Sequence, residues 1–165
     1  MAGMREEVQA RLPCLLDRLI DEAPASKEEA GARRTVGLKE YRAAVLRDLR
    51  WLLNSPRHLP SADIYLFPHV AKSVLNFGTR NLAGRTSSSL DARAIETDLR
   101  DAILHFEPRI IPNTLRVRMV SDGPDGGKLA FEINGQLWAL PYAERILFRT
   151  EMDLETGSCE LSLLT

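Results

Sequence analysis

Apolar residues recur at three- and four-residue intervals as far as Phe106, and at two-residue intervals from Leu115 onwards. The first spacing lays a stripe along a helix and the second covers one face of a strand. Leu38 to Leu53 shows the helical period most fully. Leu38, Tyr41, Val45, Leu46, Leu49, Leu52 and Leu53 share one broad face, with Arg42, Arg47, Asp48 and Arg50 largely off it. Asn54-Ser55-Pro56 supplies a polar stop and then a proline. Trp51 falls at the edge of the stripe and reads as a partly buried packing residue. A second helix starts near Leu90, capped by Ser88 or Ser89 with Asp91 in its first turn, and Ile95, Leu99, Ala102, Ile103 and Phe106 form its apolar face.

That helix ends at Glu107-Pro108-Arg109, because proline has no N–H to donate and its ring clashes with the preceding turn. Two opposite charges then flank a rigid corner. The pattern next becomes alternating: Leu115, Val117 and Met119 on one face, Arg116 and Arg118 on the other. After a turn-rich loop over Ser121–Gly127, Leu129, Phe131, Ile133, Leu137 and Ala139 keep one parity through Gly135, which predicts a single long strand. Asn134-Gly135 is also a two-residue hairpin signal, so a split there is the alternative. Pro141-Tyr142 turns the chain, and strands over Ile146–Leu154 and Cys159–Leu164 flank a turn at Glu155–Ser158. Helices followed by a run of antiparallel strands predict an α+β fold, with several helices packed on a C-terminal antiparallel sheet.

Elsewhere the signals are shorter. Pro13 stands where a first helical turn tolerates proline, and CLLDRLIDE follows as a short helix. Its stripe of Leu12, Leu15, Leu16, Leu19 and Ile20 reads first as core packing, with partner docking as the alternative. Residues 23–37 are small, charged and aperiodic, a flexible linker by composition. The chain thus divides into an N-terminal helical arm with its linker over residues 1–37 and one domain over 38–165. Prolines from Pro56 to Pro68 forbid long regular structure, and Val70–Phe77 reads as a short helix closed by Gly78.

Composition narrows the function classes. The chain has 165 residues, 44% hydrophobic and 27% charged, as in an ordinary globular protein. A net charge of −1 makes no electrostatic case for nucleic acid or an anionic membrane. No stretch approaches a membrane span and the N-terminus lacks the apolar run of a signal peptide, which predicts a cytoplasmic protein. Cys14 and Cys159 match no metal-ligand spacing and read as reduced thiols.

Catalytic patterns are not evident: there is no glycine-rich phosphate loop, no G-x-S-x-G, no HExxH and no paired CxxC. His58, His69 and His105 are scattered. Glycoside hydrolysis needs two carboxyls across a cleft, whereas Asp98, Asp101 and Glu107 belong to one helix and its end. The expectation is a protein that is not an enzyme and holds neither cofactor nor metal.

Four ordered stretches carry a resemblance: RDLRWLLNSPR at Arg47–Arg57, VAKSVLNFG at Val70–Gly78, EPRI at Glu107–Ile110 and FRTEMDLETG at Phe148–Gly157. Together with LLDRLIDE they resemble the TssE family of type VI secretion baseplate components, homologous to a small wedge subunit of contractile-phage baseplates. The resemblance implies a cytoplasmic adaptor at a baseplate docked on the inner-membrane complex. Its partners would be the wedge proteins TssF and TssG, in assemblies with TssK, and the sheath proteins TssB and TssC. It implies that Glu107, Pro108 and Arg109 contact the wedge's helical bundle. Because their proline-fixed corner presents both charges without further ordering, Glu107 and Arg109 are expected to contribute more to assembly than to folding. Residues Glu144–Leu164 would present an open edge for a sheath strand, with Arg149, Glu151 and Asp153 guarding it until the partner arrives. A lysozyme-like peptidoglycan hydrolase is the runner-up.

Overall fold

The broad apolar face between Leu38 and Leu53 folds as expected, into a helix running from Leu38 to Asn54 whose start is fixed by Glu40 accepting the Gly37 N–H at 2.9 Å. The computed structural model describes residues 13–20, 36–57, 64, 66–86, 89–122, 127–139 and 143–164. Among these the helices are α1 (Leu15–Leu19), α2 (Leu38–Asn54), α3 (Pro68–Ala71) and α4 (Ala92–Phe106), with 3-10 turns at Val74–Asn76 and Pro112–Thr114. The strands are β1 (Arg116–Asp122), β2 (Lys128–Leu137), β3 (Glu144–Asp153) and β4 (Cys159–Leu163). They form one antiparallel meander in the order β1-β2-β3-β4. The fold is α+β, as the pattern of periods predicted. The linker within residues 23–37 lies almost wholly outside the described residues, as do Leu12, His58, Ser88 and Pro141-Tyr142.

One face of the sheet makes the core. Leu115 and Val117 lead into and through β1, Phe131 and Ile133 lie on β2, Ile146 and Phe148 on β3, and Leu161 on β4. They meet Val45, Leu49 and Leu52 of α2 and Ile95, Leu99 and Ile103 of α4. The opposite face carries Arg118, Glu132 and Arg149, which lie across from one another in register.

Several local expectations are corrected. Asp91, not a serine, caps α4: its Oδ1 accepts the N–H groups of Arg93 at 3.0 Å and Ala94 at 3.4 Å, while the Ser89 hydroxyl donates to Thr86. β1 runs on to Asp122, beyond the residue where the loop was expected, across a bulge between Met119 and Ser121. β2, by contrast, is one strand, as the parity through Gly135 predicted: Gly135 lacks the positive φ that an Asn-Gly hairpin turn requires. A Cβ there would lie 3.3 Å from the Ile110 side chain, so glycine serves close approach. Trp51 is half exposed under the Arg47 guanidinium, whose carbon lies 5.0 Å from the ring centre. Most plainly, Leu15, Leu16 and Leu19 of α1 and Ile20 just after it are exposed, so that stripe is not core. A five-residue helix has too little length to bury a stripe of its own, and α1 is tied to α2 by the Asp17–Arg47 ion pair at 2.5 Å.

The segment Val70–Gly78 is α3, a tight connection and the 3-10 turn rather than one helix. Phe77 meets Phe106 edge-on, ring centres 5.2 Å apart. Gly78 has φ +120°, and a Cβ there would fall 2.2 Å from the Ser55 carbonyl oxygen. Only glycine allows Thr79 to pair with the chain leaving α2, through Thr79 N–H to Ser55 O at 2.9 Å and Arg57 N–H to Thr79 O at 2.8 Å.

Candidate functional site

The corner after α4 is drawn against the end of β2. Arg109 O accepts the Trp138 N–H at 2.7 Å, the Ile111 N–H donates to Gln136 O at 2.8 Å, and Ile110 bridges to Leu137. This pull turns Glu107 inward, leaving it 2% exposed. Its Oε1 accepts Arg109 Nε at 2.6 Å and the Arg109 backbone N–H at 3.2 Å, and its Oε2 accepts Arg109 Nη2. The same Nη2 donates to Asp48 Oδ2 of α2 at 2.5 Å. Asp48 then accepts Arg47 Nε at 2.9 Å, and Arg47 holds Asp17 of α1. Five charges of alternating sign thus run from the corner through α2 to α1.

The corner is therefore neither a solvated ion pair nor two charges presented freely. Glu107 lies inside, Arg109 is half-buried and Pro108 is exposed. Burial disfavours the Arg109 charge, but its hydrogen bond to Glu107, the Glu107 charge, and then Asp48 outweigh that and hold its pKa above the ordinary arginine value. Arg109 stays charged with its fork fixed on both sides. Asp48 is the member of this group that sequence reading missed. It was placed off the apolar face, but its partner lies 61 residues away, a separation no local pattern spans.

The C-terminal charges fall elsewhere than expected. Arg149, Glu151 and Asp153 belong to β3, an interior strand whose backbone is paired on both sides, so they do not guard an edge. Arg149 and Glu151 stand on the solvent face, with Nε 3.4 Å from Oε1. Asp153 instead shapes the next turn, its Oδ1 accepting the N–H groups of Thr156 at 2.9 Å and Glu155 at 2.8 Å, which lowers its pKa from the usual value. The parity of charges in the sequence marks a wet face equally for an edge and for an interior strand, and only the sheet order separates them.

The true edges are β1 and β4, and helices reach both. On β1 the Met119 N–H donates to Glu96 of α4 at 2.7 Å. On β4 the Cys159 N–H donates to Asn54 Oδ1 at 2.9 Å, and Asn54 Nδ2 donates to Cys159 O at 2.8 Å. Arg50 donates to Leu161 O through Nε at 3.2 Å and Nη2 at 2.8 Å. The expectation that nothing covers the last strand is thus corrected over Cys159–Leu161. The cover comes from α2, more than a hundred residues earlier. The four-residue spacing of Arg50 and Asn54, which puts both on one helix flank, is the signal that was available.

Among the described residues there is no group of three or more His, Cys, Asp and Glu placed to hold a metal ion, and no helix long and apolar enough to cross a membrane. The described residues thus present a fixed charged corner and a four-stranded sheet whose two edge strands are each met by a helix side chain. Residues 39–142 match the family described as baseplate wedge protein gp25, and the chain belongs to that family. Its role is accordingly that of a structural component of a phage-baseplate-like assembly, interacting with other baseplate components. The matched span runs from α2 into the segment after β2, taking in Asn54, Asp48 and the corner. No curated protein and no solved structure matches the chain.

Proposed function

We propose that this chain is the TssE-type component of a type VI secretion baseplate, binding TssF and TssG of the wedge in a TssK-containing baseplate. In this reading it works in the cytoplasm, where the baseplate docks on the inner-membrane complex. It starts the contractile sheath by pairing a strand of TssB/TssC with β4. The observation that carries the wedge contact is the Glu107–Arg109–Asp48 knot. It holds Arg109 and the exposed Pro108 in one geometry before any partner arrives, so docking loses little side-chain freedom. Glu107 acts through Arg109 rather than by touching the partner. Arg149, Glu151 and Asp153 remain partner-binding candidates as a surface row and a turn next to β4, not as an edge.

Capture by co-expressed TssF and TssG tests the corner. Arg109→Lys keeps the charge but loses the planar fork, and should reduce capture at least tenfold while the protein stays folded. Undiminished capture by folded Arg109→Lys and Pro108→Ala proteins would exclude the corner as the wedge contact. Against the hydrolase reading stands the engagement of Glu107 by its own arginine, which leaves that carboxylate without a free face for a glycosidic oxygen. Purified protein should release no soluble fragments from peptidoglycan.

A further inference from the structure

Cys159, Leu161 and Leu163 are the β4 residues whose backbone groups point away from β3, since Leu164 N–H donates inward to Leu147 O and pairing alternates from there. Asn54 meets Cys159 with one acceptor and one donor, the same two bonds that a residue on an added antiparallel strand would make. Its Nδ2 also donates to Arg50 O at 2.8 Å, which holds the amide from the last turn of α2. Arg50 takes the Leu161 carbonyl. Leu163 has no such cover among the described residues and is 37% exposed.

We infer that Arg50 and Asn54 form a removable stand-in for a fifth strand, which closes β4 over Cys159–Leu161 and yields as an extended partner segment pairs inward from Leu163. This rests on the strand-pairing reading above and adds its regulation. Closure suits the free protein, because a bare outward edge invites pairing between copies. Opening is nearly balanced in hydrogen bonds: the incoming backbone restores what Cys159 and Leu161 give up, while the Asn54 and Arg50 side chains, on the outer flank of α2, turn to water. An arm that stopped at Leu163 would engage one outward residue; one that displaces the clamp engages three, and covers the Leu163 side chain as well. The clamp thus separates weak contact at the end of β4 from full pairing along it.

The test compares wild type with Asn54→Ala and Asn54→Asp. The aspartate keeps the acceptor for the Cys159 N–H but sets a charged oxygen against the Cys159 and Arg50 carbonyls in place of the donor, so it opens the clamp from one side and serves if the alanine variant folds poorly. Wild type should be monomeric with a slowly exchanging Cys159 amide. Asn54→Ala should exchange that amide at least tenfold faster, associate with itself as concentration rises, and take up unassembled TssB/TssC at least fivefold faster. The Leu161 amide should become protected in every complex formed. Equal uptake by all three proteins, with Leu163 protected and Leu161 exchanging freely, would overturn the clamp and leave strand pairing at Leu163 standing. Absence of Leu163 protection in any mixture would sink the strand-pairing reading instead. The clamp is then judged without a partner, and it falls if Asn54→Ala neither exchanges faster at Cys159 nor self-associates.

Discussion

β1 turns its outer backbone toward α4 and receives one carboxylate; β4 turns its own toward α2 and receives an amide and a guanidinium. On β1 a bulge follows at once, Val120 is exposed, and Arg116 and Arg118 stand on the solvent face, so an approaching strand meets both a kink and charge. On β4 the pairing register is unbroken and the strand runs out through apolar Leu163 and Leu164. One edge is blocked by geometry that cannot be undone without refolding. The other is covered by two side chains that can leave. Closing an edge with helix side chains also makes the edge report on the helix, so each edge should loosen when its own helix does.

The largest effect should come from Leu49→Ala, which removes a fully buried side chain of α2 and should destabilise by about 2–5 kcal/mol in chemical denaturation. Amide exchange should quicken at Cys159 more than at Met119. Equal quickening would mean that the edges do not depend on separate helices. Glu107→Ala comes next, at about 2–3 kcal/mol, because it removes the three bonds Glu107 accepts from Arg109 and leaves Asp48 alone against a half-buried charge, the opposite of the expectation that the corner contributes more to assembly than to folding. A thermal midpoint within a degree of wild type would show that the knot does not hold the end of α4. Gly78→Ala forces a Cβ against the Ser55 carbonyl and should cost about 1–3 kcal/mol, felt at the exit of α2 and hence at Asn54. A variant as stable as wild type with an unchanged Cys159 amide would contradict that coupling.

Glu96→Ala removes a charge-assisted bond to an accessible edge and should cost about 1 kcal/mol. Its Met119 amide should exchange faster, yet the protein should remain monomeric in sedimentation, since the bulge and arginines still bar β1. Self-association there would erase the distinction between the edges. The smallest effect concerns α1. Burial opposes the Asp17 charge, but hydrogen bonds from Arg47 and Cys14 and the Arg47 charge prevail, so its folded pKa lies below the ordinary value of 3.8. A depressed folded pKa contributes stability that is complete above the unfolded value and is lost as pH falls through the folded one. Protection of the α1 amides should therefore hold above about pH 4 and fade below it, with β4 little changed.

The two helix faces and the alternation of all four strands were legible because each is a local repeat set by burial on one side. The α1 stripe had the same repeat and misled, since periodicity states that a face is apolar and not that something covers it. The cap was read at Ser88 or Ser89 with Asp91 inside the first turn, whereas Asp91 is the cap, because which residue serves depends on where the backbone becomes helical. The family was legible from short ordered motifs, and RDLRWLLNSPR contains Asp48, Arg50 and Asn54, whose partners lie 61 or more residues further along the chain. Their bonds to Arg109, Leu161 and Cys159 follow from the sheet order, which periodicity does not encode. Glu107 and Arg109 were seen as a pair, but their burial came from Trp138 and Ile111 drawing the corner onto β2.

Cys159 carries a consequence for chemistry rather than assembly. Its sulfur lies 2.6 Å from the Thr150 hydroxyl in the buried layer, and desolvation raises its pKa despite that bond, so little thiolate is available. Cys14, half-buried beside Arg47 of α2, is the thiol an alkylating reagent meets first. Replacing Cys14 would leave Cys159 as the one thiol, which reacts only when β4 lifts from α2. The rate of its alkylation would then serve as an intrinsic clock for the breathing of the last strand, readable by mass without any added label.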